Sequence, residues 1–556
     1  MTAARDALPA APADILLRVD NLTVSFGQGP AVVRGVSFSL APGRCLAIVG
    51  ESGSGKSVTA RALVGLAGPR ASVQADGLAF GGEDLRRFAD RDWRRLRGKH
   101  VGFVLQDALV SLDPLRAVGD EIGEGLRLHG EAGSRAQRQA RVVELLERVR
   151  VPEPAVKARQ LPHELSGGQR QRALIAAALA LDPQVLIADE PTTALDVTVQ
   201  AQVLELLEET RARGKALIII SHDLAVVSRV ADEILVMRHG EVLERGSPAE
   251  IFGAPRHPYT RRLLDAVPSA HSRGTRLAPA SAPRWAAPTG SPAAPSGLTP
   301  PVLSARHLVK RFRGPDGVAR TVVRDVSFDL QAGETLGIVG ESGSGKSTVA
   351  RIALALETPD SGAVTLHGQP WSAVTERERR PRRRGISVIY QDPLSSFDPR
   401  WTVERLVEDS LGPDPADRAQ RSARVSELLD LVGLPAAFRH RRPIELSGGQ
   451  RQRVAIARAI APEPRVIVCD EPVSALDVSI QAQVLDLLGD LKAQLGVSYL
   501  FISHDLGVVH HLSDRVLVMN QGEVVESGAV DEVFLTPRAP YTQRLVAAVP
   551  RLHRAG

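Results

Sequence analysis

With 556 residues the chain exceeds what one hydrophobic core usually supports, so two or more domains are expected. A composition of 43% hydrophobic and 24% charged residues is ordinary for a globular protein and excludes wholesale disorder and a fibrous or collagen-like chain. The net charge of +5 comes from basic residues interleaved with acids, which argues against the concentrated basic patch of a nucleic-acid or anionic-membrane binder.

The N-terminal stretch MTAARDALPAAPADILL has no apolar h-region and does not read as a secretory signal. The run CLAIVG, from Cys45, reads as a buried strand. Gly50, Glu51, Ser52, Gly53, Ser54, Gly55, Lys56 and Ser57 follow it, and then the helix-like SVTARALVGL. Strand, glycine-rich turn and helix are the context that a phosphate-binding P-loop requires. The glycines let backbone N–H groups wrap phosphates, and the helix N-terminus adds favourable dipole charge. Lys56 reaches the β and γ phosphates, and Ser57 can hold Mg2+. A basic run from Arg86 to Lys99 then precedes a strand; a similar run, Glu376 to Arg384, precedes the corresponding strand later, so both are expected to belong to the fold.

Between Gln106 and the segment LSGGQ, apolar LLERVRV lies in a stretch long enough for a separate helical subdomain. The apolar run ALIAAALAL stops at Asp182, and no run reaches the ~18 residues of a membrane-spanning helix. The strand VLIADE ends in Asp189 and Glu190, two carboxylates at a C-terminal strand edge, where ligands bind open α/β sheets. Asp189 can hold Mg2+ through water, and Glu190 can orient and deprotonate an attacking water. The helix-like QAQVLELLEETRA and the strand ALIIIS lead to SHDL, which contains His222.

The chain then repeats itself. GESGSGKS recurs as Gly340, Glu341, Ser342, Gly343, Ser344, Gly345, Lys346 and Ser347, followed by Thr348. ELSGGQRQR recurs from Glu445, VIVCDE ends in Asp470 and Glu471, and SHDL recurs with His504. Preserved order and near-preserved spacing indicate a duplicated domain, not a short solenoid repeat. Between the copies, Pro, Ala, Ser and Gly dominate, which predicts an extended, mobile linker. Domain one is thus expected over 14–268, the linker over 269–301 and domain two over 302–552. Strands alternating with helices predict an α/β fold with a mostly parallel sheet covered on both faces. Cys45 and Cys469 each sit in an apolar strand, as small buried hydrophobes in a reducing compartment.

The order P-loop, Gln, LSGGQ, DE, ALD, SHD resembles the nucleotide-binding domains of ABC transporters over nearly the whole of both halves, LSGGQ being the most specific element. The resemblance implies two tandem P-loop NTPase domains of the ABC type, each with a mostly parallel sheet core, an antiparallel β subdomain and a helical subdomain. It implies that Gln106 and Gln391 sense Mg2+ and contact the membrane partner. It makes Ser166, Gly167, Gly168 and Gln169, with Ser447, Gly448, Gly449 and Gln450, signature segments for the γ-phosphate held by the opposite domain. Asp196 and Asp477 become D-loop residues, His222 and His504 switch histidines, and Phe26 and Phe312 the rings against adenine. Mg2+ falls to Ser57, Gln106 and Asp189 in one half and to Ser347, Gln391 and Asp470 in the other.

A finer resemblance, to ATP-binding subunits of oligopeptide, dipeptide and nickel importers, rests on QDALVSLDP and QDPLSSFDP and on HPYTRRLLDAVP and APYTQRLVAAVP. It implies ATP and Mg2+ as cofactors, two permease subunits and an extracytoplasmic solute-binding protein as partners, and a peripheral position on the cytoplasmic face of the membrane. In that branch the two domains pair head to tail, and both sites here are complete, so both are expected to hydrolyse ATP. Ala108 departs from the usual Pro. Some relatives carry a cysteine cluster after the first HPYT segment; none occurs here, so no iron-sulfur cluster is expected. Nickel or glutathione-type import stays open. A translation-associated ABC ATPase would want a long, charged, helical linker, and a DNA-repair ATPase would want zinc-binding cysteines.

Overall fold

The computed structural model describes residues 15–106, 111–131, 133–193, 195–269, 272–278, 300–314, 317–413 and 417–549; Ala108 and most of the stretch read as a linker lie outside them. The chain divides into two compact units. One holds the residues up to Leu195 with Val199–Leu264, the other Asp196–Thr198 and Asp265–Val549.

The core sheet of the first unit has six strands in the order Glu241–Gly246, Glu233–Arg238, Cys45–Val49, Ala216–Ile220, Val185–Asp189 and Val101–Val104. Neighbours are parallel except the outer pair formed by Glu233–Arg238 and Glu241–Gly246. Cys45–Val49, Val185–Asp189 and Ala216–Ile220 are buried along their whole length. Burial on both faces is why these strands read as unbroken apolar runs instead of alternating. The second unit repeats the order with Glu523–Ala529, Arg515–Asn520, Thr335–Val339, Ser498–Ile502, Val466–Asp470 and Ile386–Ile389. In each unit the P-loop, the SHD segment and the paired carboxylates therefore leave the same C-terminal edge of three adjacent strands, the edge where open α/β sheets bind ligands.

A separate antiparallel sheet flanks each core, built on Leu17–Phe26 in the first unit and Leu303–Arg313 in the second. In the first, burial alternates along Leu17–Phe26 as a one-face-buried strand requires. The helices Val118–Leu128, Arg135–Arg148 and Gly167–Ala178 make up the helical part, joined through Ile122, Val142, Leu145 and Ile175. Val403–Asp409, Arg418–Leu431 and Gly448–Ile460 do the same in the second unit, through Leu406, Val425, Leu428 and Ile456.

Each arginine run contributes residues that hold the fold together. Arg97 donates to the carbonyls of Val64 and Gly65, just past the P-loop helix Lys56–Ala62, at 2.8 and 3.0 Å. Arg383 and Arg379 donate to Leu354 and Ala355 past the helix Lys346–Ala353, at 2.6 and 2.9 Å, and both guanidinium groups lie over the Trp371 ring. Cations at a helix C-terminus satisfy its last carbonyls and match its dipole. Both cysteines are buried and unpaired with one another, and burial pushes the Cys45 thiol up to about 12. Among the described residues no helix is long and apolar enough to cross a membrane.

Part of the Pro/Ala/Ser/Gly-rich stretch is packed on the second unit. Leu277 is buried, and the N–H groups of Leu277 and Ala278 donate to the Asp486 carboxylate at 3.0 and 2.9 Å. Arg276 pairs with Asp490 at 2.8 Å. Arg273 adds a second ion pair, to Asp531 at 2.5 Å, so two arginines and one leucine supply the charge and apolar contact that hold this piece down. Asp486→Ala leaves two backbone donors without their acceptor and is expected to destabilise the second unit by about 2 kcal/mol, read as a lowered denaturant midpoint.

Candidate active site

Each P-loop folds tightly against the neighbouring strand. Gly50 has φ 147°, and a Cβ there would lie 2.1 Å from the Met237 carbonyl oxygen; Gly340, with φ 151°, meets Met519 in the same way at 2.2 Å. No other residue type fits there. The lysines are folded into their own loops. Lys56 Nζ donates to the Gly50 and Glu51 carbonyls, both at 2.8 Å, and Lys346 Nζ repeats this with Gly340 and Glu341. Burial pushes the Lys346 ammonium down against the carboxylates around it. Ser57 and Ser347, each the second residue of its P-loop helix, donate through Oγ to Asp189 Oδ1 at 2.9 Å and Asp470 Oδ1 at 3.2 Å. Thr348 follows in the first turn of the second helix.

The adjacent carboxylates point different ways because Glu190 and Glu471 have φ 50° and 51°, a left-handed conformation rare for a residue with a Cβ. The turn is held by the Glu190 N–H, which donates to Ile220 O at 2.8 Å, and by the Glu471 N–H to Ile502 O at 2.9 Å. Asp189 stays in the sheet line and faces the P-loop serine, while Glu190 swings to a different set of partners. Its Oε2 accepts from Gln106 Nε2 at 2.9 Å and Thr193 Oγ1 at 3.0 Å, and lies 3.3 Å from His222 Nδ1. In the second unit, Glu471 Oε2 accepts from Gln391 Nε2 at 3.0 Å and lies 3.1 Å from His504 Nδ1. Ser474 takes the place of Thr193, but its hydroxyl donates to the Glu471 main-chain carbonyl.

Charge follows geometry. Burial opposes ionisation of Glu190, but the His222 hydrogen bond and charge, with help from Thr193 and Lys56, outweigh it and bring the carboxyl down to about 2. Burial likewise opposes charge on His222, yet Glu190 and Asp223 raise it above the ordinary histidine range. Glu471 is lowered and His504 raised for the same reasons. Asp189 and Asp470 go the other way: burial raises both. Each site thus holds a Glu–His ion pair beside a carboxylate reluctant to carry its charge.

The ion pairs set a pH window. A lowered Glu pKa gives stability that is present above its reference value of 4.5 and lost as pH falls through the folded value. A raised His pKa gives stability that is present below 6.5 and lost as pH rises through the folded value. The melting-temperature gap between the wild type and the His222→Ala, His504→Ala variant, measured without nucleotide, is therefore expected to be widest between pH 4.5 and 6.5 and to narrow on both sides.

The LSGGQ segments open the helices Gly167–Ala178 and Gly448–Ile460. Ser166 caps the first: its Oγ accepts from Gln169 N–H at 3.3 Å and its N–H donates to Gln169 Oε1 at 3.1 Å, with the same box at Ser447 and Gln450. The two glycines differ in role. A Cβ on Gly168 would meet Val199 at 2.7 Å and one on Gly449 would meet Ile480 at 2.4 Å, whereas Gly167 faces open space. Gly448 meets only ordinary contact with Leu476. In the SHD segments, Asp223 and Asp505 cap the next helix, so each histidine stands between residues fixed by the turn. Asp477 caps Val478–Leu495, and Asp196 precedes the helix Val197–Ala212.

Phe26 ends its strand half-buried against the core, while Phe312 is 41% exposed with Lys310 Nζ 5.2 Å from its ring centroid. Gln106 and Gln391 are brought to the glutamates and not to the serine and aspartate of the same site. Thr193 was not foreseen as a partner of Glu190; a hydroxyl residue at the same place in both copies, Thr193 and Ser474, was the available signal.

The family model for ABC transporters matches residues 33–193 and 323–474, one copy in each unit. The chain belongs to the ABC transporter family. Its ATP-binding domains make it an ATPase. The family described as the oligopeptide/dipeptide transporter C-terminal region matches residues 243–290 and 525–556. This ABC protein is 42% identical to the oligopeptide transport ATP-binding protein OppD of Mycobacterium tuberculosis, over 96% of this chain and 98% of that one. It is 44% identical to the glutathione import ATP-binding protein GsiA of Escherichia coli K12, over 96% of this chain and 89% of that one.

Proposed function

We propose that this ABC ATPase energises a bacterial importer for small peptides. The observation that carries the reading is the pair of complete sites joined to two oligopeptide/dipeptide C-terminal regions on one chain. The similarity to OppD and GsiA supports peptide cargo, since glutathione is itself a modified tripeptide. Two permease subunits and an extracytoplasmic solute-binding protein are the proposed partners, and this chain sits on the cytoplasmic face of the membrane through them.

The chemistry follows from the side chains. Lys56 and the P-loop N–H groups bind the phosphates, and the ammonium exchanges its two carbonyl partners for phosphate oxygens. Asp189 Oδ2 is buried without a hydrogen-bond partner while Oδ1 meets Ser57, so one carboxylate and one hydroxyl converge with ligand capacity to spare. That donor set suits Mg2+, which is usually held by one or two carboxylates together with substrate phosphates. Ser57 with Asp189, and Ser347 with Asp470, would hold it, and when bound it neutralises charge on the β and γ phosphates. Gln106 and Gln391, which donate to the glutamates here, would add their side-chain carbonyls to that donor set.

Glu190 and Glu471 are ionised and able to orient the attacking water and accept its proton, once released from their histidines. His222 and His504, as imidazolium, then donate to the γ-phosphate as its charge develops. Phe26 and Phe312 stack on adenine. The signature segments Ser166–Gln169 and Ser447–Gln450, with Asp196 and Asp477, complete the site of the opposite domain when the two halves pair head to tail. ATP binding closes that pair and turns the permeases outward, and hydrolysis resets them.

Uptake assays test the reading. Deleting the gene is expected to abolish uptake of labelled di- and oligopeptides or of glutathione, restored by the wild-type gene. Loss of nickel uptake alone, with peptide uptake intact, would overturn the peptide assignment.

A further inference from the structure

The helices Pro258–Asp265 and Pro540–Ala547 lie within the two oligopeptide/dipeptide C-terminal regions, and each carries a tyrosine to the P-loop of its own unit. The Glu51 N–H donates to the Tyr259 hydroxyl at 3.1 Å, and the Glu341 N–H donates to the Tyr541 hydroxyl at 3.2 Å. Both rings are buried, 2% and 9% exposed. Glu51 also offers its carbonyl to Lys56 Nζ, and Glu341 offers its own to Lys346 Nζ. One residue of each loop is thus held at both backbone polar groups, by the phosphate-binding lysine on one side and by the tyrosine on the other.

The helix that brings the tyrosine is itself seated by a single carboxylate. Glu244 accepts from the N–H groups of Arg256 and His257 at 2.7 and 3.1 Å, and Glu526 accepts from Arg538 and Ala539 at 2.8 and 3.0 Å. These glutamates lie on Glu241–Gly246 and Glu523–Ala529, the antiparallel outer strands of the core sheets. An anion at a helix N-terminus fixes the start of the helix and so the height of a tyrosine two or three residues on. In the first unit the Arg238 guanidinium also lies over the Tyr259 ring at 4.8 Å. A buried tyrosine needs some partner for its hydroxyl. That the partner is a P-loop N–H in both copies, while the residue before the Pro changes from His257 to Ala539, separates this contact from incidental packing.

We propose that Tyr259 and Tyr541 are positioning residues for nucleotide: by fixing the backbone of Glu51 and Glu341 they set the P-loop and its lysine for the phosphates, and so couple the C-terminal region to ATP affinity. Neither hydroxyl takes part in the chemistry. Removing them weakens the ground-state and transition-state complexes alike, which raises KM and leaves kcat nearly unchanged.

The test is the Tyr259→Phe, Tyr541→Phe double variant in the full chain, which keeps both rings and deletes both acceptors. Calorimetric titration with ATP and Mg2+ and steady-state hydrolysis are expected to show Kd and KM raised by roughly 3- to 10-fold, with kcat within about twofold of wild type. Glu244→Ala with Glu526→Ala, which unseats the helices without touching the loop, is expected to raise KM in the same direction. A folded tyrosine variant whose Kd and KM match the wild type would overturn the proposal. So would a loss confined to kcat, or glutamate variants that lower only the melting temperature.

Discussion

Exchanging Glu190 and Glu471 together for glutamine is expected to lower ATP turnover by roughly 10²- to 10⁴-fold, the range a positioned general base supplies, while ATP is still bound. The expectation follows from where the two carboxylates of each DE pair point. Asp189 and Asp470 face the P-loop serines; Glu190 and Glu471 leave the sheet through a left-handed turn and stand among hydrogen-bond donors. Glutamine keeps the shape and can still meet Gln106 or Thr193 through its carbonyl, so binding survives, but it cannot take a proton from water. Phosphate release under single-turnover conditions reads the chemical step directly. Turnover near the wild-type level in the double variant would mean that another group activates the water.

The second large effect is expected from His222→Ala with His504→Ala. Each imidazolium holds its glutamate at 3.3 or 3.1 Å and is charged because of it. With the histidines in their proposed role as donors to the γ-phosphate, their loss is expected to lower kcat by about 10²-fold, by analogy with other preorganised donors. It also leaves burial as the dominant influence on Glu190, whose carboxyl then rises from about 2. Hydrolysis should fall with little change in ATP affinity, because Lys56 and Lys346 are untouched. An equal loss in affinity and turnover would place the histidines in ground-state binding instead.

Much of this site was legible because its residues are local in sequence. The P-loop is one strand, one turn and one helix, and Gly50 and Gly340 are there because nothing larger clears the neighbouring carbonyl. The buried parallel strands announce themselves as unbroken apolar runs, and their duplication fixes the two domains. What sequence could not supply were contacts between distant segments. Tyr259 reads as an ordinary helix residue until its helix is laid against Glu51, far upstream in the chain. Asp486 reads as a charge on a helix, yet it is buried and holds Leu277 and Ala278 of a stretch whose composition predicts mobility. The divided role of the LSGGQ glycines needed Val199 and Ile480 in place, since only the fold shows that Gly168 and Gly449 are small for packing. The arginine runs could be assigned to the fold from their repetition, but their targets, carbonyls in the turns that follow the P-loop helices, are distant in sequence and visible only in the fold.

Whether this ATPase drives import through membrane partners is decided by affinity purification of the chain from native membranes, followed by mass spectrometry. Recovery of two polytopic membrane proteins, with a solute-binding protein that takes peptide, is the expected result. Recovery of ribosomes without any integral membrane protein would contradict the transport reading and place the chain among translation-associated ABC ATPases.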